Sequence, residues 1–392
     1  MNEILKMAVN EMAGTNFKCE CGREHCFPLD FISVGKGAFN DLPKKISVFK
    51  DGAILVVSDN NTYKVAGKDV ADILKRNGYK VDELIFDCGK NVLIPDERTL
   101  GRILMDQDEK TSLMIAVGSG VINDSVKFVT SRTKIPYVVV ATAPSMDGYV
   151  SDGAPIIKQG YKYSPKAHLC YGLIGDVDRL TTAPQDLIEA GFGDIVGKLT
   201  ALADWDLSVK VNGEYRCPTC VALVEKAINK CFSLADGLKT RDEKSIAALF
   251  EALTLTGVAM ALINNSRPAS GAEHMLSHFW EMDYIAKGAN PIHHGIQVGV
   301  ASVVIAKIFD NLKDILPYGV TELCVSDGYI IELLKRAGAP YCPKEIGIDR
   351  KLFYESLINA YAVRPRYSVL KFAKDNGKLE KIAEEITAEI YG

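Results

Sequence analysis

Four of the six histidines in this chain fall between residues 274 and 294, a concentration that chance scatter does not explain. His274 and His278 stand four apart, so on a helix they share one face. Gly191-Phe192-Gly193-Asp194 lies upstream and Pro291-Ile292-His293-His294-Gly295 downstream, so three segments supply hard or borderline ligands. One carboxylate and two imidazoles bind a divalent cation and leave positions open for a substrate oxygen. Such a cation acts as a Lewis acid on a carbonyl or alkoxide oxygen. The competing reading is a set of structural histidines with satisfied hydrogen bonds.

Two cysteine groups are also candidates. Cys19, Cys21, His25 and Cys26 form a C-x-C-x3-H-C cluster, and Cys217 and Cys220 a C-x2-C. The first has four candidate ligands at irregular spacing and the second only two. Reduced thiols are therefore the expectation for both, with a metal at the first cluster as the alternative.

Two loops have nucleotide-binding chemistry. Gly118-Ser119-Gly120-Val121-Ile122 follows an apolar strand and opens a helix, where free N–H groups and the helix dipole favour a phosphate. It lacks the G-x-G-x-x-G spacing, and a tight turn explains such triplets equally well. Asp59, at the end of an earlier strand, can accept from an adenosine ribose or serve as a turn residue. The second loop, Thr142-Ala143-Pro144-Ser145-Met146-Asp147-Gly148-Tyr149-Val150-Ser151, puts hydroxyls and an acid after the next strand. Ligands of open α/β sheets bind there, although turn-forming residues alone also account for it.

The elements that must position these groups change character along the chain. Ala53 to Val57, Glu83 to Phe86, Leu113 to Val117 and Tyr137 to Val140 read as strands separated by helices, the pattern of a parallel sheet with helical crossovers. From about Thr181, long amphipathic runs dominate: 191–207, 217–235, 243–264, 297–312 and 378–390. The expectation is an α/β Rossmann-like parallel-sheet domain over 1–180, followed by an all-helical domain over 181–392, with the site in the cleft between them. A length of 392 residues suits two domains, and 47% hydrophobic with 24% charged residues is an ordinary globular balance. A net charge of −4 argues against nucleic acid or an anionic membrane as partner. No signal peptide and no apolar run long enough for a bilayer is evident, which leads to a cytoplasmic expectation with reduced thiols.

Taken together, GSGVINDSVKF at Gly118, TAPSMDGYVSDGA at Thr142, EAGFGDIVGKLTALADW at Glu189, SRPASGAEHMLSH at Ser266 and HHGIQVGVA at His293 resemble the glycerol-1-phosphate dehydrogenase family. That family sits in the wider group of glycerol dehydrogenases, iron-containing alcohol dehydrogenases and dehydroquinate synthases. The likeness runs in order from about Phe31 to Ile305, and CECGREH resembles the bacterial branch. It implies the dehydroquinate synthase-like fold, and NAD(H) or NADP(H) held by Asp59, Gly118, Ser119, Gly120, Val121, Ile122, Thr142, Ala143, Pro144, Ser145 and Ser151. It further implies one divalent metal ion (Zn²⁺ or Ni²⁺, with Fe²⁺ a third candidate) on Asp194, His274 and His294. Asp147, Asp194 and His278 would then touch substrate, with Asp147 and His278 catalytic and His293 a neighbour of the ligands.

The implied reaction is reversible reduction of dihydroxyacetone phosphate to sn-glycerol 1-phosphate by a homodimer. Alternatives are a dehydrogenase of glycerol or another polyol, or a lyase of the dehydroquinate synthase type. Lys162, Lys198 and Arg267 lie near the motif segments and are candidate phosphate partners, with solvated surface charge the stronger competing reading for each. Two departures bear on the site: the family's HGEQ is His294-Gly295-Ile296-Gln297 here, so an acid is missing beside the ligand histidine, and the gap between His274 and His294 is a few residues longer than in the bacterial branch.

Overall fold

The computed structural model describes residues 3–89, 91–289 and 292–392. Met1, Asn2, Lys90, Asn290 and Pro291 lie outside the described residues, Pro291 being the first residue of the last candidate metal segment. A short antiparallel hairpin, β1 (Thr15–Lys18) and β2 (Glu24–Phe27), precedes β3 (Phe31–Gly35). There follow α1 (Leu42–Lys45), β4 (Ala53–Asp59), α2 (Asn60–Thr62), α3 (Lys68–Arg76), β5 (Lys80–Phe86), α4 (Glu97–Asp106), β6 (Thr111–Gly118), α5 (Gly120–Thr133) and β7 (Tyr137–Ala141). A second hairpin, β8 (Ile156–Lys158) and β9 (Tyr161–Tyr163), leads to β10 (Gly172–Asp176) and α6 (Val177–Leu180).

Runs such as Ile54-Leu55-Val56-Val57 have no polar face to offer water, so they are stable only when covered on both sides. They form a six-stranded parallel sheet in the order β3-β10-β7-β6-β4-β5. The chain leaves β4 toward β5 on one side and leaves β6 toward β7 on the other. That reversal opens a crevice beyond the carboxyl ends of β4 and β6, the place where open α/β sheets take ligands. Asp59 ends β4 and Gly118 ends β6, so the sheet topology brings both to this point.

β3, β10 and the two hairpins are not evident from the sequence. Gly172 and Gly175 depress strand propensity in β10. Packing demands them: a Cβ on Gly172 would lie 2.3 Å from Phe31 Cε1, and one on Gly175 2.0 Å from Phe250 Cε1.

Helices follow: α7 (Gln185–Val196), α8 (Lys198–Asn212), α9 (Pro218–Ser233), α10 (Glu243–Ile263), α11 (Ala272–Ala286), α12 (His294–Leu312), α13 (Asp327–Ala337), α14 (Arg350–Asn359), α15 (Val369–Asp375) and α16 (Leu379–Tyr391). The run expected over 191–207 is two helices broken at Gly197, where a Cβ would meet Val298 Cγ1 at 2.6 Å. Contrary to the reading that no run is long enough for a bilayer, α10 and α12 reach a span's length and mean hydropathy (2.0 and 1.4). They are core helices, with 83% of each span buried inside the protein.

Candidate active site between sheet and helices

Close helix crossing assembles the site. A Cβ on Gly193 would sit 2.2 Å from Gly295 O, one on Gly295 1.9 Å from Ala190 O, and one on Gly299 2.9 Å from Gly193 Cα. No side chain fits at the α7–α12 contact, so these glycines bring Asp194 on α7 beside His294 at the start of α12. On the sheet side, the Asp147 N–H donates to Asp194 Oδ2 at 3.0 Å, joining the second loop to α7. The start of α11 is fixed by the Asp204 carboxylate, which accepts from the Ala272 N–H at 2.6 Å.

His274 and His278 lie one turn apart on α11, with ring centroids 6.4 Å apart, and each is 5.2 Å from the His294 ring. His274 Nδ1 lies 2.7 Å from Glu273 Oε1, and His294 Nδ1 lies 3.1 Å from Glu281 Oε1. A carboxylate accepts, so both Nδ1 atoms carry the proton and both Nε2 lone pairs are left over. His274 Nε2 lies 3.6 Å from Asp194 Oδ1. A lone pair facing a carboxylate at that distance is repulsive, so the gap suits either a second proton on the His274 ring or a bound cation. This donor set of one carboxylate and two tautomer-fixed imidazoles fits a divalent cation. Among the described residues here, the trio with all ligand atoms within 4.8 Å of one another is His278, Glu281 and His294. Asp194 is drawn instead toward Lys198.

Lys198 is fully buried and its Nζ lies 2.7 Å from both Asp147 Oδ2 and Asp194 Oδ1, with Ala269 O at 3.1 Å. Burial disfavours its charge, yet the Asp147 and Asp194 carboxylates raise its pKa. Burial likewise opposes ionised Asp194, but Lys198, His274 and His294 hold its carboxyl far below the usual range. Asp147 is displaced the other way, raised by burial and by the Asp194 charge. For His274 burial acts against the imidazolium, and the carboxylates of Asp194 and Glu273 outweigh it, so the pKa rises. His278 is held well below the usual imidazole range by burial and by the Lys162 charge. Arg364 Nη2 donates to His278 Nε2 at 2.7 Å and His278 Nδ1 is 3.0 Å from Glu281 Oε2, which fixes a neutral imidazole with its proton on Nδ1.

At the sheet edge, Ser119 begins the 14-residue α5 without a side-chain cap, leaving N–H groups at its start for an anion. The Gly118 O accepts from the Thr142 N–H at 3.1 Å, which ties the two loops together. Lys127 is fully buried and donates to Gly148 O at 2.8 Å and Gly153 O at 2.9 Å, so α5 also holds the second loop in place. Ala143 O accepts from the Tyr149 hydroxyl, Ser151 Oγ donates to Gly148 O, and Pro144 O packs against α7 at Gly191. Thr142 and Ser145 are buried along this loop, and Val121 and Ile122 lie in the first turn of α5. Asp59 caps α2 by accepting from the N–H groups of Asn61 and Thr62, both at 2.8 Å and both on Oδ1.

Two of the expected placements change. Arg267 is buried against Glu214 and donates to Tyr367 O at 2.7 Å, so its guanidinium is already committed within the helical half. Cys26 is exposed on β2 while its neighbour His25 points inward, because successive strand residues face opposite sides. His293 pairs with Asp186 at the surface, as a neighbour of the site. Lys162 ion-pairs with Glu281, and Lys198 sits between two carboxylates. Glu273, Glu281 and Arg364 went unnoticed in the sequence. For Glu281, the helical spacing of i+3 from His278 is a usable signal; for Glu273, adjacent in sequence to His274, and for Arg364, more than sixty positions from the nearest site histidine, there is none.

Residues 32–184 match the family model described as iron-containing alcohol dehydrogenase. A glycerol-1-phosphate dehydrogenase [NAD(P)+] from Halalkalibacterium halodurans is 37% identical over 79% of this chain and 77% of its own. One of the same name from Bacillus licheniformis is 32% identical over 97% and 96%. An iron-containing alcohol dehydrogenase from Corynebacterium glutamicum superposes with a TM-score of 0.70 at 16% identity, covering 92% of this chain and 95% of that one, so the fold is shared. With its histidine–carboxylate cluster on that scaffold and full-length relatives above the thirty per cent level, the chain belongs to the glycerol-1-phosphate dehydrogenase family.

Proposed function

We propose that this protein is an NAD(P)-dependent oxidoreductase that reversibly reduces dihydroxyacetone phosphate to sn-glycerol 1-phosphate with the help of a divalent metal ion. The observation that carries the reading is the meeting of Asp194, His274 and His294 at the α7–α12 crossing, facing the loops after β6 and β7. Full-length relatives named for this activity support the substrate.

Asp194, His274 and His294 would hold the ion, which supplies Lewis-acid stabilisation of the substrate's C2 oxygen. The dinucleotide supplies the hydride; Ser119 to Ile122 at the start of α5 would bind its pyrophosphate, and Asp59 its ribose through Oδ2. Thr142, Ala143, Pro144, Ser145 and Ser151 form the wall against which its nicotinamide half would lie. Asp147, raised toward its protonated form, is the acid nearest the cluster and would hold or pass the proton needed at the C2 oxygen. His278, neutral, does not supply that proton while its Nε2 accepts from Arg364; it orients the guanidinium. Arg364 and Lys162 are the cations beside His278 and would take the substrate phosphate. The division at Leu180/Thr181, a cytoplasmic location and a homodimer complete the reading.

The test is NADH oxidation with dihydroxyacetone phosphate, with dihydroxyacetone and without substrate, using enzyme stripped of metal and then reloaded with Zn²⁺ or Ni²⁺. Metal-dependent turnover confined to the phosphorylated ketone is expected, and a chiral assay should return the 1-phosphate. Turnover with dihydroxyacetone alone overturns the substrate.

A further inference from the structure

We propose that Cys19, Cys21, His25 and Cys217 form a structural zinc site that fastens the β1–β2 hairpin to the helical half of the molecule. The four ligand atoms all lie within 4.8 Å of one another. Cys19 Sγ and Cys217 Sγ are 3.7 Å apart, and His25 Nε2 is 3.3 Å from Cys21 Sγ and 3.4 Å from Cys217 Sγ. Tetrahedral zinc with bonds of about 2.3 Å to sulfur and about 2.0 Å to nitrogen sets S···S edges of about 3.8 Å and S···N edges of about 3.5 Å. The donors therefore stand close to the spacing that zinc requires. A Cys19–Cys217 disulfide would need sulfurs at about 2.05 Å.

The surroundings are built for ligation. His25 Nδ1 lies 2.7 Å from Leu262 O at the end of α10. A carbonyl only accepts, so the ring proton is on Nδ1 and the Nε2 lone pair faces the sulfurs. Cys21 Sγ accepts from the Tyr215 hydroxyl at 3.0 Å, and Cys19 Sγ meets Thr219 Oγ1 at 3.1 Å. These contacts suit thiolates better than thiols. Cys217 occupies the N-cap of the 16-residue α9, where the helix dipole stabilises a thiolate. Cys19, His25 and Cys217 are buried, so the set is closed to substrate, as structural zinc sites are.

Strand alternation explains why the four consecutive candidates of the N-terminal motif do not form the site: Cys26 points outward on β2, and Cys217 takes its place from α9. The link joins segments nearly two hundred residues apart, so a zinc ion there would favour the folded chain over the unfolded one.

The experiment uses the reduced full-length protein. Chelation that removes the ion needed for NADH oxidation should leave a tightly held zinc ion, detected by mass spectrometry and released by a thiol-blocking mercurial. Protein grown on cobalt should show thiolate-to-cobalt charge transfer in the near ultraviolet and intense tetrahedral bands in the red, which Asp194, His274 and His294 have no sulfur to produce. Cys19→Ser/Cys21→Ser should lose both the resistant zinc and these bands. His25→Cys should keep the metal and strengthen the charge-transfer band. Wild-type protein with no chelator-resistant zinc and no thiolate bands overturns the proposal, as does a native Cys19–Cys217 disulfide in non-reducing mass analysis. Because the wild-type spectrum decides the matter, a double variant that fails to fold does not rescue the idea.

Discussion

Glu281 Oε1 accepts from His294 Nδ1 at 3.1 Å and so supplies, from thirteen residues upstream, the carboxylate that position 296 lacks. Its second oxygen accepts from His278 Nδ1, and its charge is balanced by Lys162. An outer carboxylate of this kind fixes a ligand histidine's tautomer and raises its basicity, and losing one typically costs about 10–100-fold in metal affinity. Glu281→Gln keeps the volume and removes the charge. Competition with a chromophoric chelator should show the active-site metal held about 10–100-fold more weakly, in a protein with unchanged circular dichroism. Unchanged affinity would mean that the carboxylate only neutralises Lys162.

The compensation also shows where sequence reading works and where it stops. Apolar strands, the loops after β6 and β7 and the histidine cluster were legible because each is a local pattern: a run, a glycine at a strand end, a ligand spacing. The partner of His294 was not, because Ile296 is its sequence neighbour while Glu281 is its neighbour across a helix pair. Arg364 escaped for the same reason, and so did the nearness of Cys217 to Cys19 and His25, since both depend on tertiary packing. The glycines of GFGD and HHGIQVG were legible as residues but not as what they are, contact points between α7 and α12. The four candidates of the N-terminal motif, weighed in the sequence as one cluster, do not share a face, because a strand turns alternate residues away and leaves Cys26 exposed.

Arg364 distinguishes phosphorylated from unphosphorylated substrate if its guanidinium takes the phosphate. Losing a hydrogen bond to a charged group costs about 1.5–3 kcal/mol, or roughly 10–100-fold. Arg364→Met should raise KM for dihydroxyacetone phosphate by about that factor and leave the affinity for NADH, which carries no part of this contact, unaltered. An unchanged KM with a lowered kcat would place the arginine's role in orienting His278 alone.

Gly193→Ala tests the helix crossing that brings Asp194 to His294. The added methyl would lie 2.2 Å from Gly295 O, a backbone atom that cannot swing aside. Overpacking of a tight core contact costs about 1–3 kcal/mol, and more where the obstacle is backbone. The expected result is a lower melting temperature together with weaker metal binding, since α7 and α12 must separate to admit the methyl. Gly101→Ala, inside α4 with nothing within 4 Å of its Cβ, serves as the control: it should leave metal binding unchanged and raise the melting temperature slightly through helix propensity. Wild-type stability in Gly193→Ala would show that the crossing is not tight.

Asp204 gives the pH dependence of the frame around α11. It accepts from the Ala272 N–H at 2.6 Å and the Val369 N–H at 2.6 Å, so it pins the start of the helix carrying His274 and His278. Burial, followed by the neighbouring Glu273 charge, pushes its pKa up to about 7, against the pull of Arg267 and the two N–H groups. In the unfolded chain the group titrates near about 3.9. A raised acid keeps in the folded state a proton that the unfolded state releases. Its contribution to stability is therefore complete below about pH 4 and is lost as pH climbs to about 7. Asp204→Asn cannot ionise; it loses one N–H partner at every pH but carries no such slope. Melting temperatures of the two proteins measured from about pH 5 to pH 8 should therefore converge, the variant gaining on the wild type as pH rises. A gap that stays constant across that range would show Asp204 to be ionised throughout, with its two N–H donors outweighing its burial.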